Sequence, residues 1–428
     1  MEGCRVSYGT FKTEKEGLEM DIENIRNEFP ILINNPDKIY FDSASTTQKP
    51  YAVIHTLNNF YTNCCANIGR GSYEWANKLD IEVNEARKKV ASFINAPSPN
   101  EIVFTSGTTH SSNTIIYSWA LHHLKEGDEV LVCYSDHKSA IMPWIHIKNI
   151  LQGFSIKIKV IPILINSQGD YNEIDLYEKV NRKTKVINLT HIHNVFGIEM
   201  GIKEMISNLR SNKEIVFIVD ASQSIGHVRV DVQDLEADFL YFSGHKMFAA
   251  NGTGVLWVNK RLHSQIRPFM VGGNNKIEVS GEGFYHEDKI QNLLESGTMD
   301  IPSILTLGAA IDFIKEIGIE QIEAYLLHLT QYLIEELKTI KEVQFLPGPA
   351  LCSCIIGNGI VSFKIQGEKS QDIGYVLNDY GVFIRAGSHC MGDESLAEDS
   401  IRVSLQIYNT VEEIDRFISI IKEIVEAI

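Results

Sequence analysis

The stretch "FSGHKMFAANGTG", residues 242–254, sets a single lysine, Lys246, between an apolar run and a glycine-rich turn. A lysine at the end of a buried strand loses hydration, which favours its neutral amine, and a neutral amine condenses with aldehydes. An isolated lysine more often carries its charge out to water along its alkyl stem, so Lys246 has to be read with its neighbours. Upstream, the apolar run of "EIVFIVDASQ" ends in Asp220, and that of "EIVFTSGTT" ends in a hydroxyl-rich turn that leads into the helical pattern "SSNTIIYSWALHHL". Backbone N–H groups at a helix start, together with hydroxyls, suit a phosphate. A carboxylate keeps a pyridine nitrogen protonated and makes the ring an electron sink. With His137 as an aromatic plate and Lys246 for an aldehyde, these groups meet the needs of pyridoxal 5'-phosphate.

The elements that must position them follow one rhythm. "DEVLVCYSDH", "TKVINLTHIHN", "ADFLYFSGHK" and "TGVLWVN" join the two runs above as short, continuously apolar segments, as expected of strands covered on both faces. Helical patterns lie between several of them, which predicts an α/β fold with a mostly parallel sheet. Ser106, Thr108, His137, Asn194, Asp220, Gln223 and Lys246 all follow the C-terminal ends of these strands, where open α/β sheets bind ligands. Any one of them could be a turn residue or cap; together they predict one crevice. After Pro302 the rhythm stops. Residues 303–340 read as one or two long amphipathic helices, "GIVSFKIQG" and "GVFIRAG" as strands, "KSQDIGYVLNDY" as a helix, and the last segment as a helix opened by a Thr410–Glu413 capping box. "DIENIRNEFPIL" reads as one amphipathic helix. The expected organisation is a large α/β domain over 36–302, with 1–35 and 303–428 forming a smaller α+β domain.

Composition narrows the function. The chain has 428 residues, 44% hydrophobic and 22% charged, with a formal net charge of −16. An acidic chain of this kind does not bind nucleic acid through a basic surface. No apolar run is long enough to span a bilayer, and residues 1–28 lack the apolar core of a secretory signal, so no membrane partner and a cytoplasmic location are expected. Seven cysteines in a chain this long do not form a disulfide framework, and their spacing matches no zinc motif. No metal site is expected.

The motifs "YFDSASTTQKP", "FTSGTTHSSN", "SDHKSAIMPW", "THIHNVFGIEM", "VDASQSIGHVRVDVQDLEADFLYFSGHK", "ESGT" and "RAGSHC" occur in an order and spacing that resemble the class V, fold type I pyridoxal phosphate enzymes. Within that family the chain is most similar to the cysteine desulfurases of the sulfur-mobilisation (group II) type. The resemblance implies that Lys246 binds the cofactor aldehyde, His137 stacks on its ring, Asp220 pairs with the ring nitrogen and Gln223 with the ring hydroxyl. It implies a phosphate held by Thr108 or Thr109, Ser243 and His245, and by Thr298 of the other subunit of a homodimer. Asn194 and Arg402 would hold the substrate, with Arg70 beside them, and Cys390 would be the nucleophile, with His389 and Arg385 near enough to lower its pKa.

The activity so implied converts L-cysteine, or L-selenocysteine, to alanine and passes sulfur through a Cys390 persulfide to an acceptor protein, for iron–sulfur cluster or thio-cofactor synthesis. The same scaffold serves selenocysteine lyases, cysteine and cystine lyases, epimerases and aminotransferases, which need Lys246 and Asp220 but not Cys390. Three details depart from the family pattern. The segment from Cys390 to Arg402 is short, Gly69 replaces a histidine before Arg70, and "MFAANGTG" lacks the usual proline.

Overall fold

Seven strands form the central sheet: β1 (Ile102–Thr105), β2 (Glu129–Cys133), β3 (Lys159–Ile163), β4 (Thr184–Thr190), β5 (Val216–Asp220), β6 (Phe239–Ser243) and β7 (Gly254–Val258). Their order is β1-β7-β6-β5-β4-β2-β3, and only the pairs made by β7 are antiparallel. The computed structural model describes residues 20–69, 71–275, 289–351 and 358–427, and the backbone of 277–280 and 283–286.

Apolar residues run without a break along these strands because each face of the sheet has its own core. Val130, Val132, Val216, Ile218, Phe239 and Tyr241 belong to one cluster, packed with Trp119 and Trp144. Their neighbours Leu131, Cys133, Phe217, Val219, Leu240 and Phe242 belong to the other. β3 is not among the strands the sequence predicts. Its run "VIPILI" is apolar but holds Pro162, and a proline is tolerated only in an edge strand such as this one.

The α/β prediction holds, and the second half supplies a separate sheet. Here β8 (Val343–Phe345), β9 (Ile360–Ile365), β10 (Arg385–Gly387) and β11 (Ser400–Ser404) run antiparallel in the order β8-β9-β11-β10. The run "GVFIRAG" divides between two pairings. Val382–Phe383 lies parallel to Ile39–Tyr40, and only Arg385–Gly387 joins β11. The pattern over 303–340 resolves into Ile301–Ile317 and Ile319–Lys338, separated by Gly318 with φ 94°. The first of these packs against helices Tyr51–Asn63 and Glu74–Phe93. The capping box at Thr410 and Glu413 is present as expected.

The single N-terminal helix expected from "DIENIRNEFPIL" is instead two short ones, Ile22–Asn27 and Pro30–Ile33. Pro30 pushes the preceding residue out of the helical region, and Phe29 is extended. Its fully buried ring packs against Phe248, Phe313 and Tyr408 at centroid distances of 5.9, 5.6 and 4.9 Å. That ring ties the start of the chain both to the turn after Lys246 and to the C-terminal segment.

β1 is held by a buried ion pair. Arg87 meets Glu295 through Nη1–Oε1 at 2.6 Å and Nη2–Oε2 at 2.8 Å, and Phe104 N donates to Glu295 Oε1 at 2.8 Å. Removing one partner of such a pair leaves an uncompensated buried charge. Glu295→Ala is therefore expected to destabilise the fold by roughly 3–5 kcal/mol, read as a lowered midpoint in urea unfolding; an unchanged midpoint would refute this account of β1.

Candidate active site

Apart from Ser106, the polar strand ends singled out above converge on one cleft between the two sheets. β1 leads through Gly107 into helix Thr108–Ile115, β2 into His137, β4 into Asn194, β5 into Asp220, and β6 into Lys246. Lys246, Cys390, His137, Thr108, Thr109, Asp220, Gln223, Ser243, His245, Asn194 and Arg402 all line this cleft. Thr298 does not; it is exposed and lines a separate hollow with Ser106 and His110. Arg70 lies outside the described residues.

At one end of the cleft three hydroxyls meet. Thr108 Oγ1 is 2.7 Å from Ser222 Oγ and 2.8 Å from Ser243 Oγ, and Thr108 N donates to Ser243 Oγ at 2.8 Å. Two glycines bring β7 against this turn. A Cβ on Gly254 would stand 2.5 Å from Gly107 Cα and 2.7 Å from Phe242 O, so no side chain fits there.

Deeper in, Asp220 is buried and its Oδ1 accepts from Ser222 N at 2.9 Å. Burial raises its pKa, opposed by the Ser222 hydrogen bonds and the Lys246 charge. Burial acts on Lys246 in the opposite sense, lowering its pKa to about 8. The Asp220 carboxylate partly restores the charged form, and the Arg402 and Arg385 guanidiniums disfavour it. Gln223 Nε2 donates to Ala44 O at 3.0 Å, while its Oε1 is buried without a partner.

His137 caps helix Lys138–Gly153 and accepts from Ser139 N at its Nδ1. Burial, then the Lys246 and Arg402 charges, push its pKa down to about 3. The ring is thus neutral, with its proton on Nε2.

The opposite wall of the cleft includes Arg402, which is 2% exposed. Its Nη1 donates to Asn194 O at 2.9 Å, and its Nη2 to Asp42 Oδ1 and Ser45 Oγ, each at 3.0 Å. Arg402 Nε and Asn194 Oδ1 are buried without partners. Both are therefore open to a ligand.

Cys390 is half-buried on a strap. His389 and Cys390 both have left-handed backbones, φ 56° and 60°. Lys138 N donates to Cys390 O at 3.0 Å, Gly392 N to Asp136 O at 2.9 Å and Asp393 N to Tyr134 O at 2.6 Å. A Cβ on Gly392 would collide with Tyr134 O at 2.7 Å, and a Lys138–Glu394 ion pair closes the strap outside. Arg385 Nη2 lies 3.3 Å from Cys390 Sγ and supplies a counter-charge for a thiolate. The expectation that His389 helps is not met. Its Nε2 turns to Ser400 Oγ at 3.0 Å, and burial holds its pKa near about 3, so the ring is uncharged.

The aminotransferase class-V family model matches residues 39–417. The chain belongs to the class-V aminotransferase family. Among its relatives in that family, the cysteine desulfurase of Wigglesworthia glossinidia brevipalpis is 32% identical over 410 residues, covering 94% of this chain and 97% of that one. The probable cysteine desulfurase of Borreliella burgdorferi is 33% identical over 432 residues, covering 97% and 99%. The solved apo cysteine desulfurase of Thermococcus onnurineus NA1 superposes with a TM-score of 0.87 at 30% identity, covering 95% of this chain and 98% of that one.

The sequence singled out neither Ser222 nor the Asp42–Ser45 pair as site residues of this family member. A serine two residues past Asp220 was visible in "VDASQ", but Asp42 and Ser45 reach the cleft only through tertiary contact.

The charge balance around Lys246 gives a measurable expectation. In the cofactor-free protein, acylation of Lys246 by acetic anhydride should rise with a midpoint near pH 8, where its amine becomes neutral. Surface lysines should follow about pH 10.4. Peptide mapping by mass spectrometry separates them, and a Lys246 midpoint near that of surface lysines would contradict the desolvated cleft.

Proposed function

We propose that this protein is a pyridoxal phosphate-dependent L-cysteine desulfurase that works as a homodimer in the cytoplasm. One observation carries the reading. Cys390 Sγ, with Arg385 at 3.3 Å, opens into the same cleft as Lys246 and Arg402, so a thiol nucleophile, an amine and a carboxylate anchor face one small volume.

The residues suit the cofactor. The unpartnered Gln223 Oε1 can accept from a ring hydroxyl, the buried Asp220 carboxylate from a protonated ring nitrogen, and the start of helix Thr108–Ile115 with the Thr108, Ser222 and Ser243 hydroxyls suits a phosphate. Thr109 and His245 border the same end, and neutral His137 can lie on the ring face. When bound, pyridoxal phosphate supplies an aldehyde that captures amines and a ring that withdraws electrons from the adjoining carbon.

The chain does the rest. Arg402 orients the substrate carboxylate by donating from its open Nε–H, and Asn194 Oδ1 is left to accept from a donor such as the substrate amine. Lys246 Nζ would hold the cofactor aldehyde, and as a free amine it can take the proton from the substrate α-carbon. A pKa near about 8 leaves it able both to accept and to release that proton around neutral pH. Cys390 thiolate attacks the substrate sulfur. The new S–S bond forms as the carbon–sulfur bond breaks, its electron pair stays on carbon, and protonation there, with return of the proton held by Lys246 to the α-carbon, yields alanine. The persulfide sulfur then passes to an acceptor protein or thiol, and iron–sulfur cluster or thio-cofactor synthesis consumes it.

Cys390→Ser should leave cofactor absorbance intact and cut alanine formation from L-cysteine at least about a hundredfold, since a serine hydroxyl is barely ionised at neutral pH and a poor sulfur nucleophile. A lyase would keep its rate and release pyruvate; alanine at the wild-type rate would overturn the desulfurase reading.

The dimer has its own test. Thr298, exposed and outside its own chain's cleft, is assigned to the partner's phosphate. Light scattering should give a dimer at micromolar concentration, and Thr298→Ala should retain the cofactor several-fold less well on dialysis. An active, cofactor-saturated monomer would refute both.

A further inference from the structure

Arg385 and Arg402 face each other directly across the β10–β11 pair. Like charges in opposed positions destabilise a sheet, and these two also line a cleft that contains Lys246. One hydroxyl stands between them. Ser45 Oγ donates to Asp42 Oδ1 at 2.7 Å and accepts from Arg385 Nη1 at 2.9 Å and Arg402 Nη2 at 3.0 Å. A serine hydroxyl has one hydrogen and two lone pairs, so every position on this oxygen is used. Beyond it, Arg385 reaches Cys390 Sγ with Nη2, and Arg402 reaches Asn194 O with Nη1. The anchor for a carboxylate and the counter-charge for the thiol therefore hang from one atom.

We propose that Ser45 is a positioning residue that sets the spacing between the substrate carboxylate and the attacking sulfur, by holding Arg402 and Arg385 through one oxygen. Its link to turnover rests on the desulfurase reading. Its link to Cys390 does not. Asp42 alone cannot do the same work, because its carboxylate bonds Arg402 directly but meets Arg385 only through Ser45. Without the hydroxyl, Arg385 Nη1 loses its acceptor, mutual repulsion swings the guanidinium away from Arg402, and its other nitrogen leaves the sulfur.

The test uses the cofactor-bound protein and iodoacetamide, an uncharged reagent whose rate reports thiolate availability rather than anion docking. Peptide mapping follows Cys390, with exposed Cys65 as the internal standard. Ser45→Ala should slow Cys390 alkylation at pH 7 by at least about fivefold, as expected for a lost hydrogen bond to a charged group. Cys65 should be unaffected, and KM for L-cysteine should rise by a similar factor. Ser45→Thr, which keeps the oxygen, should return both to within about twofold. If Ser45→Ala does not fold, Ser45→Gly removes the same oxygen and takes its place.

Cys390 alkylation within twofold of wild type overturns the proposal. So does a loss that threonine fails to restore, since packing rather than the hydroxyl would then be responsible. A slowed alkylation with an unchanged KM overturns the shared role, leaving Arg402 independent of Ser45. If L-cysteine is not turned over at all and Ser45→Ala still slows alkylation, the desulfurase reading fails and the hold on Cys390 stands.

Discussion

A guanidinium with 2% of its surface in solvent needs partners from the protein, and both Nη atoms of Arg402 find them in parts of the chain far apart in sequence. Asp42 and Ser45 come from the stretch before the first long helix, Asn194 O from the loop after β4, and Arg402 itself from β11. Burial disfavours its charge, Asp42 opposes that, and the neighbouring Arg385 adds to it. The second sheet can seat against the first only in the arrangement that satisfies this group. Backbone pairing follows the same line, with Ser404 N donating to Phe41 O at 2.8 Å and Ser43 N to Ser404 O at 3.2 Å. The cleft exists because these segments are drawn together.

The same scarcity of solvent divides roles among chemically similar groups. His137, His245 and His389 all face the cleft and are all held neutral, chiefly by burial. Lys246 falls into the range where an amine exchanges its proton near neutral pH. The permanent positive charge therefore resides on the two arginines, a charge suited to a carboxylate ligand and to a neighbouring thiolate.

What the sequence disclosed was local. Asp220 and Lys246 each follow an apolar run that is itself a strand, so position along the chain already implied position in the crevice. Thr108 was legible for the same reason, while Ser243 was named only through the family resemblance. The Ser45–Arg385 and Arg402–Asp42 contacts span 340 and 360 residues, and no periodicity reports such a meeting. His389 misled because sequence neighbourhood does not fix direction; its left-handed backbone sends the ring to Ser400 instead of the thiol. β3 was missed because Pro162 stands inside its apolar run, and the N-terminal helix was overextended because one proline outweighed the amphipathic pattern.

The strap beneath Cys390 bears on how sulfur leaves the protein. Its backbone bonds to Tyr134, Asp136 and Lys138 tie Cys390 to the segment after β2, and the absence of a side chain on Gly392 lets the two segments lie in contact. A thiol on a long free arm could carry its cargo outward and meet an acceptor on a flat surface. Here the host has almost no reach, so the burden of travel falls on the visitor. For a desulfurase, the receiving thiol would have to sit on a narrow projection able to enter the cleft mouth. Recognition of the partner would then be decided by the shape of that protrusion before any chemistry begins.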